Sequence, residues 1–344
     1  MSLIALDGAM GEGGGQVLRT ALALSAVTGQ GFEIAHIRAR RPRPGLEPQH
    51  LAAIRALTMA CGAKVSGAFD GSPDLRFEPG PVAPGAFRFD IGAAGAVSMV
   101  LATVLPVLGT ASKGSRVAAF GGTHVPASPS FEYLSRHWGA AVRSLGLEAR
   151  FELVRAGFYP PAGGEARAQV EPWSRQAGLD LGERGRLVAL RGVSGASRLK
   201  GDVARRQRDA VARALWERRR LEAEWEVLDV SADSPGSFLF LEAAFETGRG
   251  AFGFLGQRGL SAESLGDRAA RRLLHFLEDE EGAVDPHLAD QLVVPLAMAG
   301  GGGRVTTVEV TRHLETAVEV ATRFGVRAKV WGRRGGPGGL EVGR

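Results

Sequence analysis

Cysteine is nearly missing from this chain of 344 residues: Cys61 is the only one. A lone thiol forms no intrachain disulfide and excludes a cysteine-rich zinc site, so nothing points to secretion. Long apolar runs are missing too. The longest, Val97 to Leu108, falls short of the roughly 20 residues a spanning helix needs, and Pro106 interrupts it. The first residues, MSLIALDGAMGEGGG, lack the basic head and apolar run of a signal peptide, so a soluble cytoplasmic protein is expected. Familiar signatures fail as well. There is no G-x-x-x-x-G-K-[ST] and no H-E-x-x-H, and the stretch Gly11 to Gln16 ends in glutamine where the dinucleotide fingerprint requires glycine.

What is present describes a folded chain. Apolar residues are 44% and charged residues 23%, which excludes disorder as the main state and allows two or three domain-sized units. Glycine is abundant, 49 residues, about twice the usual share, which points to turns and to backbone that approaches something closely. A formal charge of +5 mildly favours a polyanionic partner such as phosphate or nucleic acid.

The chain repeats itself. HLAAIRALTMACGAKVSG, FEYLSRHWGAAVRSLGLEARFEL and HLETAVEVATRFGVRAKVWG each read as an apolar-periodic helix, a glycine stop (Gly62, Gly146, Gly325) and an alternating strand. A second series places a glycine-rich loop or a turn before an apolar helix that stops at Gly29, Gly109 and Gly300. Spacings of 80 to 84 residues between the first two copies widen to 179 to 191 before the third. Three units, the third preceded or interrupted by one insert, explain this. The insert, from about Glu183 to Glu278, holds its own strands, RLVALRGV and SFLFLEAAFE, and its own helices, one of them strongly basic. The segments are therefore 1–182 for the first two repeats, 183–278 for a small insert domain and 279–344 for the third repeat.

Three places could carry chemistry. Glycines around Glu12 at a strand-to-helix junction offer N–H groups and a positive dipole end to phosphate; Glu12 makes sense there if it holds a divalent metal. Arg19, then Arg38, Arg40, Arg41 and Arg43 in a proline-stiffened IRARRPRPGLEPQH, suit phosphate oxygens. His313 opens the last repeat helix just after a strand, where α/β folds place ligands, and an imidazole can attack phosphorus and leave again.

Taken together the chain resembles the RNA 3′-terminal phosphate cyclase family. The likeness runs through ALDGAMGEGGGQVLRTALALS, IRARRPRPGLEPQHL, DIGAAGAVSMVLATVLP, VRAGFYPPAGGE, LDLGERG, HLADQLVVPLAMAG and RHLETA. It implies an α/β (α+β) fold of three tandem units, each two helices on a four-stranded sheet, forming one large domain with a small inserted α/β domain. It implies ATP-dependent conversion of an RNA 3′-terminal phosphate to a 2′,3′-cyclic phosphodiester, with ATP and a divalent metal, Mg²⁺ or Mn²⁺. His313 matches the family's nucleophile, which becomes adenylylated, and Glu12 its metal-binding glutamate. Arg19, Arg38, Arg41 and Gln49 match phosphate-contacting positions, and Asp290 with Gln291 match a pair near the nucleotide. The sequence departs from the family pattern at Ala102, His124, Ala162 and Ala317, positions implied to concern base contacts, metal handling or substrate preference. Two other readings remain: a non-catalytic RNA-binding scaffold of the same fold, which lacks the histidine, and an enolpyruvyl-transfer enzyme, which uses no covalent histidine.

Overall fold

Helix α1 (Gly15–Thr28) follows strand β1 (Ile4–Asp7), and Val17, Leu18, Ala21, Leu22 and Leu24 bury its apolar faces almost completely. The chain is described in a computed structural model over residues 3–160, 163–173, 178–279 and 281–343. Strand β2 (Phe32–Ala35) leads to α2 (Pro48–Cys61), started by proline at its first turn and a Glu47–His50 capping box. Strands β3 (Lys64–Ser66) and β4 (Leu75–Glu78) complete the first unit.

The second unit repeats this plan: β5 (Ala86–Ala96), α3 (Val97–Leu108), β6 (Ser115–Gly122), a π-helical segment Tyr133–Trp138 running into α4 (Gly139–Ser144), then β7 (Ala149–Arg155) and β8 (Gly164–Val170). The third begins with the short β9 (Leu179–Leu181), breaks off into the insert, and resumes. The insert is β10 (Leu187–Ser197), α5 (Val203–Arg219), β11 (Glu224–Asp229), β12 (Gly236–Phe245), β13 (Arg249–Leu255) and α6 (Ala262–Glu278). After it come α7 (Pro286–Gln291), α8 (Val293–Ala299), β14 (Gly303–Thr307), α9 (Arg312–Arg323), β15 (Ala328–Gly332) and β16 (Gly338–Val342).

Three of the four sheets share one topology. In β1-β2-β4-β3, β5-β6-β8-β7 and β9-β14-β16-β15 the first two strands are parallel and the rest antiparallel. A parallel pair needs a crossover, and α1, α3 and the α7–α8 pair supply it. The α/β repeat architecture expected from the sequence is present. Because β9 pairs with β14, the insert interrupts the third unit instead of preceding it. Its own sheet, β11-β10-β12-β13, is backed by α5 and α6.

One continuous core joins the helices of all three units, and a second lies inside the insert. Five of the six expected glycine stops (Gly29, Gly62, Gly146, Gly300 and Gly325) have positive φ, as helix ends favour. Gly109 does not; at φ −62° it continues the turn, and a side chain there would run into Leu147.

Candidate active site

The loop between β1 and α1 is pinned by a neighbour 304 residues away. The Glu12 N–H donates to Thr316 Oγ1 at 2.9 Å, and that hydroxyl donates in turn to the Arg312 carbonyl at 2.6 Å inside α9. Gly11 makes the approach possible: its φ is +55°, and a Cβ would collide with Thr316 Oγ1. Thr311 caps α9 by accepting from the Leu314 N–H at 3.0 Å, which fixes the first turn that carries His313.

Glu12 is held from two sides, its side chain only 5% exposed. Oε1 accepts from the Gln16 N–H at 3.1 Å in the first turn of α1; Oε2 pairs with Arg41 Nη2 at 2.5 Å. Arg41 also donates to the Glu12 carbonyl at 2.8 Å, so the arginine clasps the loop. The amides of Gly14 and Gly15 donate to no acceptor among the described residues, and they lie at the positive end of α1.

Beyond Gly15 the heads of α1 and α2 meet. A Cβ on Gly15 would sit 2.7 Å from both Arg19 Nη1 and His50 Nε2, so these groups close over the helix start. Arg38, in an unusual left-handed conformation (φ +54°), pairs with Glu47 at 2.6 Å, and the Gln49 amide donates to the same carboxylate oxygen at 3.2 Å. His50 Nδ1 accepts from the Glu47 N–H at 3.0 Å. Burial first, then the charges of Arg19 and Arg38, push the His50 pKa down to about 3. The ring is neutral, with its proton on Nε2 since Nδ1 accepts.

A cavity of about 430 Å³ opens between these elements, lined by Ala9, Gly11, Glu12, Gly13, Arg40, Arg41, Arg312 and His313. His313, the second residue of α9, is exposed there. Partial burial lowers its pKa, and Arg19, His287 and Arg41 lower it further against the raising effect of Glu12. Asp290 reaches toward Arg19 and Glu12 from α7. Burial pushes its pKa well above the usual carboxylate range, and Asp285 and Glu12 add to this against Arg19.

Among the sequence-predicted residues, the structure puts Glu12, Arg41 and His313 on one cavity. Arg38 and Gln49 share the Glu47 carboxylate next to it, Arg19 donates to Gln16 Oε1 at 2.9 Å beside His50, and Asp290 acts on Arg19 through its charge. Gln291, half-buried at the end of α7, bonds to none of them. Sequence reasoning missed Thr316 and His50. Their signals were the threonine one turn after His313 and the Glu-Pro-Gln-His capping box. Of the departures, His124 is buried between Thr123 and Glu132 and stacks on Phe238 at 4.3 Å, away from the cavity. Ala317 is buried beside Thr316 and Ala102 is half-buried on α3, while Ala162 lies outside the described residues. Three arginines of the basic helix α5 are ion-paired: Arg206 with Glu263, Arg208 with Asp209 and Arg219 with Glu278.

The family description "RNA 3′-terminal phosphate cyclase" matches residues 10–330. The chain belongs to the RNA 3′-terminal phosphate cyclase family. It is 42% identical over 323 residues to the RNA 3′-terminal phosphate cyclase of Salmonella typhimurium, covering 94% of this chain and 93% of that one. The cyclase named from Ralstonia nicotianae is 44% identical over 93% of this chain and 91% of its own. That from Pseudomonas fluorescens is 43% identical over 94% and 92%. These cyclase relatives place the chain among enzymes. A solved structure, EPSP synthase from Acinetobacter baumannii, is matched over 95% of this chain and 62% of its own at 11% identity; its TM-score of 0.29 bears on neither fold nor activity. No helix among the described residues is long and apolar enough to cross a membrane.

Proposed function

We propose that this enzyme converts an RNA 3′-terminal phosphate to a 2′,3′-cyclic phosphodiester at the expense of ATP, through an adenylyl group carried on His313. The observation that carries this reading is the neutral His313 facing the Glu12–Arg41 pair across a cavity rimmed by Arg40 and Arg312. In the first step an imidazole nitrogen attacks the α-phosphorus of ATP, a P–N bond forms, and the α–β bridging P–O bond breaks to release pyrophosphate. The RNA 3′-phosphate then takes the adenylyl group, breaking the P–N bond and making an RNA-(3′)pp(5′)A anhydride. Finally the 2′-OH attacks the phosphorus on the RNA 3′-oxygen, gives up its proton, and the anhydride P–O bond breaks to release AMP. The activation is needed because oxide is a hopeless leaving group, whereas AMP departs readily. Cyclisation itself gains the proximity of an intramolecular step, up to roughly 7–11 kcal/mol.

Arg19, Arg38, Arg41 and Gln49 are assigned to phosphate oxygens, supported by Arg19 beside Gly15, Arg41 on the Glu12 loop and the Gly14 and Gly15 amides, which donate to no acceptor among the described residues. Asp290 and Gln291 are assigned to the nucleotide. A divalent metal, Mg²⁺ or Mn²⁺, fits the hard oxygen donor Glu12. No group of three His, Cys, Asp or Glu among the described residues could hold one, so most of its ligands would be phosphate oxygens and water. Held by Glu12, it would offset phosphate charge. A cytoplasmic location agrees with the single buried Cys61.

Incubation with α-labelled ATP and Mg²⁺ or Mn²⁺ tests this reading. Wild type should take an acid-labile, alkali-stable label that vanishes in His313→Ala and shrinks in Glu12→Ala. Arg38→Ala and Arg41→Ala should each slow labelling by roughly 100-fold with little change in melting temperature. No label on wild type with either metal overturns the reading, and an equal loss of thermal stability in the arginine variants would make those side chains structural.

A further inference from the structure

Away from the cavity, a buried charge cluster occupies the seam where the second unit, the insert and the third unit meet. His137, fully buried, has a carboxylate at each ring nitrogen: Nδ1 lies 3.2 Å from Glu242 Oε1 and Nε2 lies 2.7 Å from Asp285 Oδ2. Two acceptors ask for two ring protons, so this geometry holds the imidazolium. Asp285 accepts four more hydrogen bonds: from Tyr133 Oη at 2.9 Å, from the Ala251 N–H at 3.2 Å, and from the His287 and Leu288 N–H groups at 3.1 Å. Arg249 donates to the His137 carbonyl at 3.1 Å and Arg191 lies 3.9 Å from Glu242; His287 and Asp290 act on Asp285, Arg136 on Glu242 and Arg143 on Arg249. Burial opposes the charge on His137, yet the hydrogen-bonded Asp285 and Glu242 outweigh it and raise its pKa.

The placement is unusual. Tyr133 and His137 reach Asp285 from a π-helical segment, a rare geometry that recurs at functional sites. Glu242 and Ala251 belong to β12 and β13 of the insert. Asp285 is the cap of α7, a six-residue helix far too short to hold itself in water, so its cap and packing decide where it points. At its other end α7 carries Asp290 and Gln291.

We propose that His137 is a positioning residue: by tying Asp285 to Glu242 of the insert it holds the head of α7, and so sets where Asp290 and Gln291 stand against the bound nucleotide. The insert then shapes ATP binding without touching ATP. This rests on the nucleotide reading above and extends it.

The test uses the full-length protein with H137Q, H137Q/E242Q and Y133F. Glutamine keeps an amide donor for Asp285, the second exchange removes the carboxylate that H137Q would strand, and Asp285 retains its four other donors. The ATP concentration for half-maximal adenylylation should rise about 10- to 100-fold in H137Q/E242Q, with the maximal rate within about threefold of wild type. Hydrogen–deuterium exchange should quicken over 285–291 and stay unchanged over α1 and α9. Y133F, which removes a single donor and leaves the ion pairs, should shift both readouts the same way by less. Should the double variant fail to fold, H137Q decides in its place, with the same two readouts expected. Wild-type ATP dependence with wild-type α7 exchange, in a folded variant, overturns the proposal. Absence of label on wild type overturns the cyclase reading only; the exchange measurement needs no activity and still decides whether His137 holds α7.

Discussion

At His313 the neighbouring charges work against each other, and the outcome is a neutral base. Burial, then Arg19, His287 and Arg41, favour the uncharged ring, while Glu12 alone favours the charged one. The proposed nucleophile needs its lone pair, so the sign has a kinetic consequence. Since the pKa is lowered, protonation that silences His313 sets in only as pH falls beneath the ordinary imidazole value of about 6.5. Single-turnover labelling should therefore hold its rate down to that range and decline below it. Glu12→Gln removes the group that raises the pKa, so the acid limb should move to still lower pH even as the overall rate drops. An upward move of that limb in Glu12→Gln would show that the Glu12 charge does not act on His313.

The link between the β1–α1 loop and α9 depends on one glycine and one hydroxyl. Any side chain at Gly11 must displace Thr316, and with it the turn that presents His313. Gly11→Ala should cost about 1–3 kcal/mol in a denaturant titration and sharply reduce adenylylation. Gly29→Ala makes the comparison clean. Gly29 also has positive φ, +71°, but no atom lies within 4 Å of its would-be side chain, so that variant should lose about 1 kcal/mol and label normally. Equal labelling by both variants would mean that the Thr316 contact does not position His313.

The units are joined by charge as well as by apolar packing. The insert's edge strand reaches the third sheet through single bridges from Arg249 to Val284 and from Val284 to Thr307, beside the His137 cluster. Linkage then shapes stability across pH. His137 has a raised pKa, so its contribution is complete below the ordinary imidazole range and is lost as pH rises through the raised value. Asp285, Glu242 and Glu132 have lowered values despite burial, because His137 and His124 hydrogen-bond to them; what they contribute is lost as pH falls through those values. His50, held neutral down to about 3, also destabilises the fold progressively as pH drops below the imidazole range. The melting temperature should thus plateau near neutrality and decline on both sides. In H137Q/E242Q the alkaline decline should flatten; a decline of unchanged steepness would assign it to other groups.

Much of this protein is readable from its chain. Three copies of one pattern, set apart by glycine stops, dictate three alike units, because an apolar-periodic helix followed by an alternating strand has few ways to bury its faces. His313, the proposed nucleophile, and the glycine-flanked Glu12 were visible as residue types at strand-to-helix junctions. Other features depend on distance through space. Thr316 lies 304 residues from the backbone it fixes, and His50 reads as a capping residue until Arg19 is laid beside it. The sequence by itself determined the repeats, the insert and the candidate chemistry, since periodicity and local turn chemistry act between near neighbours. Only the tertiary structure decided that the insert breaks the third unit after β9, that Arg41 clasps Glu12, and that His137 sits between two carboxylates. Burial and charge pairing are properties of groups brought together from different units, and no local pattern encodes them.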